Sequence, residues 1–189
     1  ELSWLDMHIN VNKTFCIQIG PKHRVDPANI VTRSRLEIEW PDAIRYLGIY
    51  LRRHSVFMCC LDNHKRSFYR SFNAIYGKIG RVASEEVIIQ LVQSKCVPVL
   101  LYCLEACPLK KSQLQSLENV IVNCFMKIFH TRSKETVNDC IEMFNLNVRK
   151  LLDRRRVTFL KTFATRNDRN TACCAFKARC MADLHCITV

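Results

Sequence analysis

Asp62-Asn63-His64-Lys65-Arg66-Ser67-Phe68-Tyr69-Arg70-Ser71-Phe72-Asn73-Ala74-Ile75-Tyr76-Gly77-Lys78-Ile79 is the stretch on which the fold class turns. Phe68, Phe72, Ile75 and Ile79 recur at steps of four, three and four residues, which places them on one face of an α-helix. Lys65, Arg66, Arg70 and Lys78 fall largely off that stripe, and Arg81 follows just beyond it. The stretch therefore predicts a helix with one apolar and one basic side.

Downstream the helical period persists. Ser84-Glu85-Glu86 offers an N-cap and an acidic first turn for a helix through Val87, Ile88, Leu91 and Val92, favourable against the helix dipole. Pro98 should end or kink it. Ser112-Gln113-Leu114-Gln115 reads as a capping box opening a third helix through Ile128, and shorter helices are expected over Val137–Phe144 and Val148–Phe163.

Upstream the pattern is that of short strands. Thr14–Ile19 places Phe15, Ile17 and Ile19 on one face, and Gly20-Pro21 ends it. Ile30–Thr32 and Leu36–Trp40 read as a hairpin. Arg45–Leu51 reads as one further strand, with Gly48 marking a bulge or a close backbone approach. The fold class is thus α+β: a small antiparallel sheet over residues 1–56, a mostly helical bundle over 57–166, and an aperiodic tail over 167–189.

The chain has 189 residues, with Lys+Arg 29 against Asp+Glu 17. From Arg52 to Arg166 there are 20 basic and 9 acidic residues, whereas the first 51 residues carry six of each. A basic globular segment favours a polyanion, because neutralised phosphates release their counterions; the bland alternative is solubility charge. No basic run adjoins a helix apolar enough to anchor in a membrane.

Twelve cysteines with four glycines and no leader-like start do not describe a disulfide-stapled miniprotein. Cys96, Cys103, Cys124 and Cys140 sit at helical apolar positions, where a free thiol serves as a small hydrophobe. A reducing compartment, nucleus or cytoplasm, is the expectation. The chain opens without Met in what reads as mid-helix, as a fragment would.

Catalytic patterns are sparse. There is no Gly-rich phosphate loop, no His-Glu-x-x-His, no Gly-x-Ser-x-Gly and no Asp-Asp pair. Two-metal phosphoryl transfer needs clustered carboxylates, so an intact polymerase or nuclease site is not expected. Cys173-Cys174, Cys180 and His185-Cys186 lack the paired spacing of a structural zinc site.

Leu5 to Gly20, containing Asn10-Val11-Asn12-Lys13-Thr14, resembles the stretch after the catalytic Asp-Asp hairpin in reverse transcriptases of LINE-type (non-LTR) retrotransposons. The family's Asn-x-x-Lys-[Ser/Thr] element, motif D, closes the palm. Arg45-Tyr46-Leu47-Gly48-Ile49 is similar to the next element, motif E or primer grip. Ser67-Phe68-Tyr69-Arg70 through Gly80, then Pro98 through Glu105, resemble the thumb and connection helices, where the second stretch commonly reads Leu-Leu-Tyr-Gly-x-Glu. Cys103 stands where that pattern has glycine. The resemblance covers roughly residues 1–165.

The resemblance implies a palm remnant followed by a thumb-like bundle. It assigns Lys13 an auxiliary role near a departing pyrophosphate, and Tyr46, Leu47 and Gly48 to the primer grip. It assigns Lys65, Arg66, Arg70, Lys78 and Arg81 to contact with a template–primer. The implied partners are RNA, DNA or an RNA–DNA hybrid, and the missing upstream part of the polymerase. The parent's magnesium ions are held by aspartates absent here, so the chain itself is expected to hold no metal and to be inactive alone. The alternatives are a domesticated nucleic-acid-binding module, or a structural or interaction protein with incidental charge.

Overall fold

The computed structural model describes residues 7–165, and they form a mixed α+β protein. The chain divides between Cys60 and Leu61 into two compact units.

The first unit holds two separate two-stranded antiparallel sheets. Strands β1 (Ile30–Val31) and β2 (Glu37–Ile38) form the expected hairpin, with Ile30 opposite Ile38. Strands β3 (Ala43–Tyr46) and β4 (Ile49–Arg52) form a second, with Tyr46 opposite Ile49. This corrects the single strand expected over Arg45–Leu51. Leu47 (φ 46°) and Gly48 (φ 88°) make a two-residue loop, and positive φ at both positions is what a type I′ hairpin turn requires. Gly48 thus marks a chain reversal and not a bulge.

The strand expected over Thr14–Ile19 is also corrected. Only isolated parallel bridges form there, Phe15 with Glu39 and Ile19 with His54. Phe15 and Ile19 are exposed, so the alternation has no buried face to select it. The loop that follows is organised by Arg53. Its guanidinium donates to the Val25 carbonyl (2.7 Å), to Gln18 Oε1 (3.2 Å) and to the His23 carbonyl, with Asp26 at 3.8 Å.

The second unit is helical. Helix α1 (Asp62–Ile79) buries Phe68 and Phe72 completely, with ring centroids 6.2 Å apart, while Ile75 and Ile79 are half-buried. Helix α2 (Glu85–Leu91) follows an extended Ser84, whose hydroxyl makes no cap bond. It widens into a π turn (Val92–Cys96) and resumes as α3 (Val97–Leu100). Pro98 does not end the helix. Lacking an N–H, it cannot bond the carbonyl four residues back, and the chain accommodates it at the start of the new segment.

Helix α4 (Lys111–Ile128) begins earlier than the expected box: Gln113 Oε1 accepts the Lys110 N–H at 2.9 Å. Leu109 and Leu114 flank that cap and pack on the same core, as a hydrophobic staple does, which selects this start over Ser112. Helices α5 (Lys134–Met143) and α6 (Val148–Thr165) complete the unit, and Ser133 Oγ accepts the Thr136 N–H to cap α5. Phe68, Phe72, Ile89, Leu100, Leu117, Ile121 and Phe125 are all under 2% exposed and form one continuous core.

Cys96 and Cys124 are buried free thiols in that core, and burial pushes the Cys96 thiol up to about 11 and raises Cys124 further. Cys103 and Cys140 are half-buried and free. Cys59 and Cys107 are each disulfide-bonded, so the free-thiol reading does not extend to them. The Cys/His-rich stretch from Cys173 to Cys186 and the tail expected from residue 167 lie outside the described residues.

Candidate nucleic-acid interface

Lys13 closes a 3-10 turn, Val11–Lys13, and is exposed. The turn is built by its neighbours in the quoted motif. The Asn10 carbonyl accepts from Lys13 N–H (3.0 Å) and from Thr14 Oγ1 (2.8 Å). The main-chain carbonyl of residue 10 and the Thr14 hydroxyl therefore lock the turn, without the Asn10 side chain, and the lysine side chain is left outside it.

Tyr46 and Leu47 stand at the tip of the β3–β4 hairpin, 59% and 73% exposed, beside exposed Gly48. A leucine at positive φ costs roughly 1–2 kcal/mol relative to glycine. The tip is thus a strained, apolar projection with accessible backbone.

The five cations expected on one basic face do not all lie on one face. Lys65 turns inward: its Nζ donates to Ser116 Oγ on α4 at 3.1 Å and lies 3.4 Å from Asp62. At about 100° per residue, Lys65 falls at the border of the apolar stripe, which is why it reaches α4 and not solvent. Arg66 and Arg70, one turn apart, are exposed opposite the core, and neither has an ion-pair partner among the described residues. Lys78 is exposed on an adjoining face, and Arg81 lies past the helix end, also exposed.

Several polar residues that the sequence did not single out hold the helices together. Lys127 Nζ donates to Asn73 Oδ1 (3.1 Å) and lies 5.1 Å from the Tyr76 ring centroid and 5.5 Å from that of Phe72. Tyr76 donates back to the Lys127 carbonyl at 3.1 Å. His64 is buried, and its Nε2–H donates to the Tyr102 carbonyl at 3.1 Å. Its position four residues before Phe68, on the same stripe, was the available signal.

Among the described residues no three of His, Cys, Asp or Glu come together in a group that could hold a metal ion. No described helix is long and apolar enough to cross a membrane. No family model, curated protein or solved structure matches the chain.

Proposed function

We propose that this chain is a C-terminal portion of an RNA-directed DNA polymerase of the non-LTR retrotransposon type, and that it contacts template–primer nucleic acid. The observation that carries the binding reading is the outward face of α1, where Arg66 and Arg70 stand exposed with no ion-pair partner among the described residues. Such cations position a phosphate backbone without reading its sequence. In this reading residues 7–60 are a palm remnant, the helices of the second unit are thumb-like, and the Tyr46–Gly48 tip approaches the primer. The described carboxylates form no donor set for magnesium, and no chemical step is assigned to them.

The backbone at Cys103 supports the residue-by-residue match. Cys103 has φ 58°, a left-handed conformation, at the position where the resembling family has glycine. Only glycine adopts that conformation without cost. Cys103→Gly should therefore stabilise the protein by about 1 kcal/mol, read as a higher midpoint in urea. A lower midpoint would remove this support.

Binding is tested by titrating salt against affinity for an RNA–DNA hybrid. Arg66, Arg70, Lys78 and Arg81 should contribute about −3 to −4 to the log–log slope. Arg66→Gln with Arg70→Gln should reduce its magnitude by about 2, whereas Lys65→Gln should leave it in place. An unchanged slope in the double variant would make α1 a solvated face and overturn the reading. Purified chain with template–primer, magnesium and nucleotides should extend no primer, and extension above a protein-free control would contradict the assignment.

A further inference from the structure

Helix α6 is the most basic element of the structure: Arg149, Lys150, Arg154, Arg155, Arg156 and Lys161 against one acidic residue, Asp153. These cations have different fates. In the first turn, Arg149 Nη2 pairs with Glu118 of α4 at 3.2 Å, and Lys150 Nζ with Glu142 of α5 at 2.7 Å. Asn147 Nδ2 donates to the same Glu142 at 2.8 Å. Together Lys150 and Asn147 hold the Glu142 carboxyl below its ordinary value. Glu118, Glu142 and Asn147 line a cleft of about 490 Å³ between α4, α5 and the start of α6. The charge at this end is answered within the fold.

Beyond that turn the cations differ in exposure. Arg155 and Arg156 are half-buried, and Arg155 Nη1 donates to the Leu101 carbonyl at 3.4 Å. Arg154 and Lys161 are exposed. They are seven residues apart, so they lie within about 20° of each other on the helix and about 10 Å apart along it. Thr158 lies between them on that face, and Thr165 lies one turn beyond Lys161. Both hydroxyls fold back onto the helix: Thr158 Oγ1 donates to the Arg154 carbonyl (3.0 Å) and Thr165 Oγ1 to the Lys161 carbonyl (3.2 Å). The short side chains lie down, and the two cations stand clear of them. Asp153 is about 100° round the helix from Arg154.

We infer that Arg154 and Lys161 form a second phosphate-backbone contact, on α6, separate from the α1 face. The ligand class is a nucleic-acid strand, because two aligned exposed cations with no neutralising carboxylate among the described residues of their own face suit a repeating anion. The inference rests on the nucleic-acid reading of α1. Both helices pack on α4, so the two contacts sit on one rigid helical unit.

The test is the salt titration with the same RNA–DNA hybrid, using the full chain. Arg154→Gln with Lys161→Gln should reduce the slope by about 2, independently of Arg66→Gln with Arg70→Gln, and the four together by about 4. Arg154→Lys with Lys161→Arg keeps both charges and should keep the slope, which a loss caused by altered folding would not. If the α1 double lowers the slope and the α6 double does not, the α6 contact is overturned and the nucleic-acid reading stands. If wild type shows no salt-dependent binding, both fall. If the charge-preserving pair loses slope as the Gln pair does, α6 acts structurally and the inference is overturned.

Discussion

Phe72→Ala is expected to destabilise the helical unit by about 4 kcal/mol. Phe72 is 1% exposed and packs against Phe68 and Tyr76, with centroids 6.2 and 5.5 Å away. Truncation leaves a cavity that rigid helices cannot fill, and phenylalanine losses of this kind cost about 3–5 kcal/mol. It also removes one of the two rings over which the Lys127 ammonium lies. For a unit of this size the midpoint of thermal unfolding should fall by roughly 15 °C. Phe15→Ala is the contrast, because Phe15 is 46% exposed and should cost well under 1 kcal/mol. Equal effects for the two substitutions in a urea titration would contradict the packing described for α1.

Hydrogen exchange should separate the two units by at least about a hundredfold in rate, a difference of roughly 3 kcal/mol in opening free energy. Amides of β1 to β4 are the fast set, and those around Phe68, Phe72, Leu117 and Ile121 the slow one. The first unit buries Ile38, Ile49, Leu51 and Cys59, while Phe15, Ile19, Ile30, Val31, Leu36, Tyr46 and Leu47 remain exposed. Its hairpins are two-stranded, and such hairpins are marginal without a further strand or a covering helix. Uniform protection across both units, lost in one cooperative event, would refute this.

The same contrast explains what could be read from the sequence. The helices were legible because a continuous core enforces their period: the stripe from Phe68 to Ile79 meets α3 and α4, so pattern and packing agree. Thr14–Ile19 has an equally regular alternation, yet nothing buries it, and only two bridges form. The reversal at Leu47-Gly48 was hidden because leucine is not a turn signal, and Asn-Gly or Asp-Gly would have shown it. Arg66 and Arg70 lie on the exposed side of α1, off the apolar stripe, as their spacing predicts. The inward turn of Lys65 was not legible, since it depends on Ser116, which is 51 residues away. The α6 cations were countable in sequence, but which of them are neutralised depends on Glu118 and Glu142 from other helices.

The π turn at Val92–Cys96 has a consequence for how one apolar surface is kept continuous. In an uninterrupted α-helix, Val97 and Leu101 would point about 180° and 220° round from Ile88, away from the arc holding Ile89 and Val92. A widened turn takes up one extra residue and resets the phase by about 100°. Val97, Leu100 and Leu101 then return to the Ile88 side, and all three are buried with Ile88, Ile89 and Val92. The turn therefore works as a phase corrector. Deleting a single residue there, such as exposed Gln93, would turn the widened turn into an ordinary one and leave Val97, Leu100 and Leu101 at the same phase, whereas the same deletion within the uninterrupted helix α4 would turn everything downstream by about 100°.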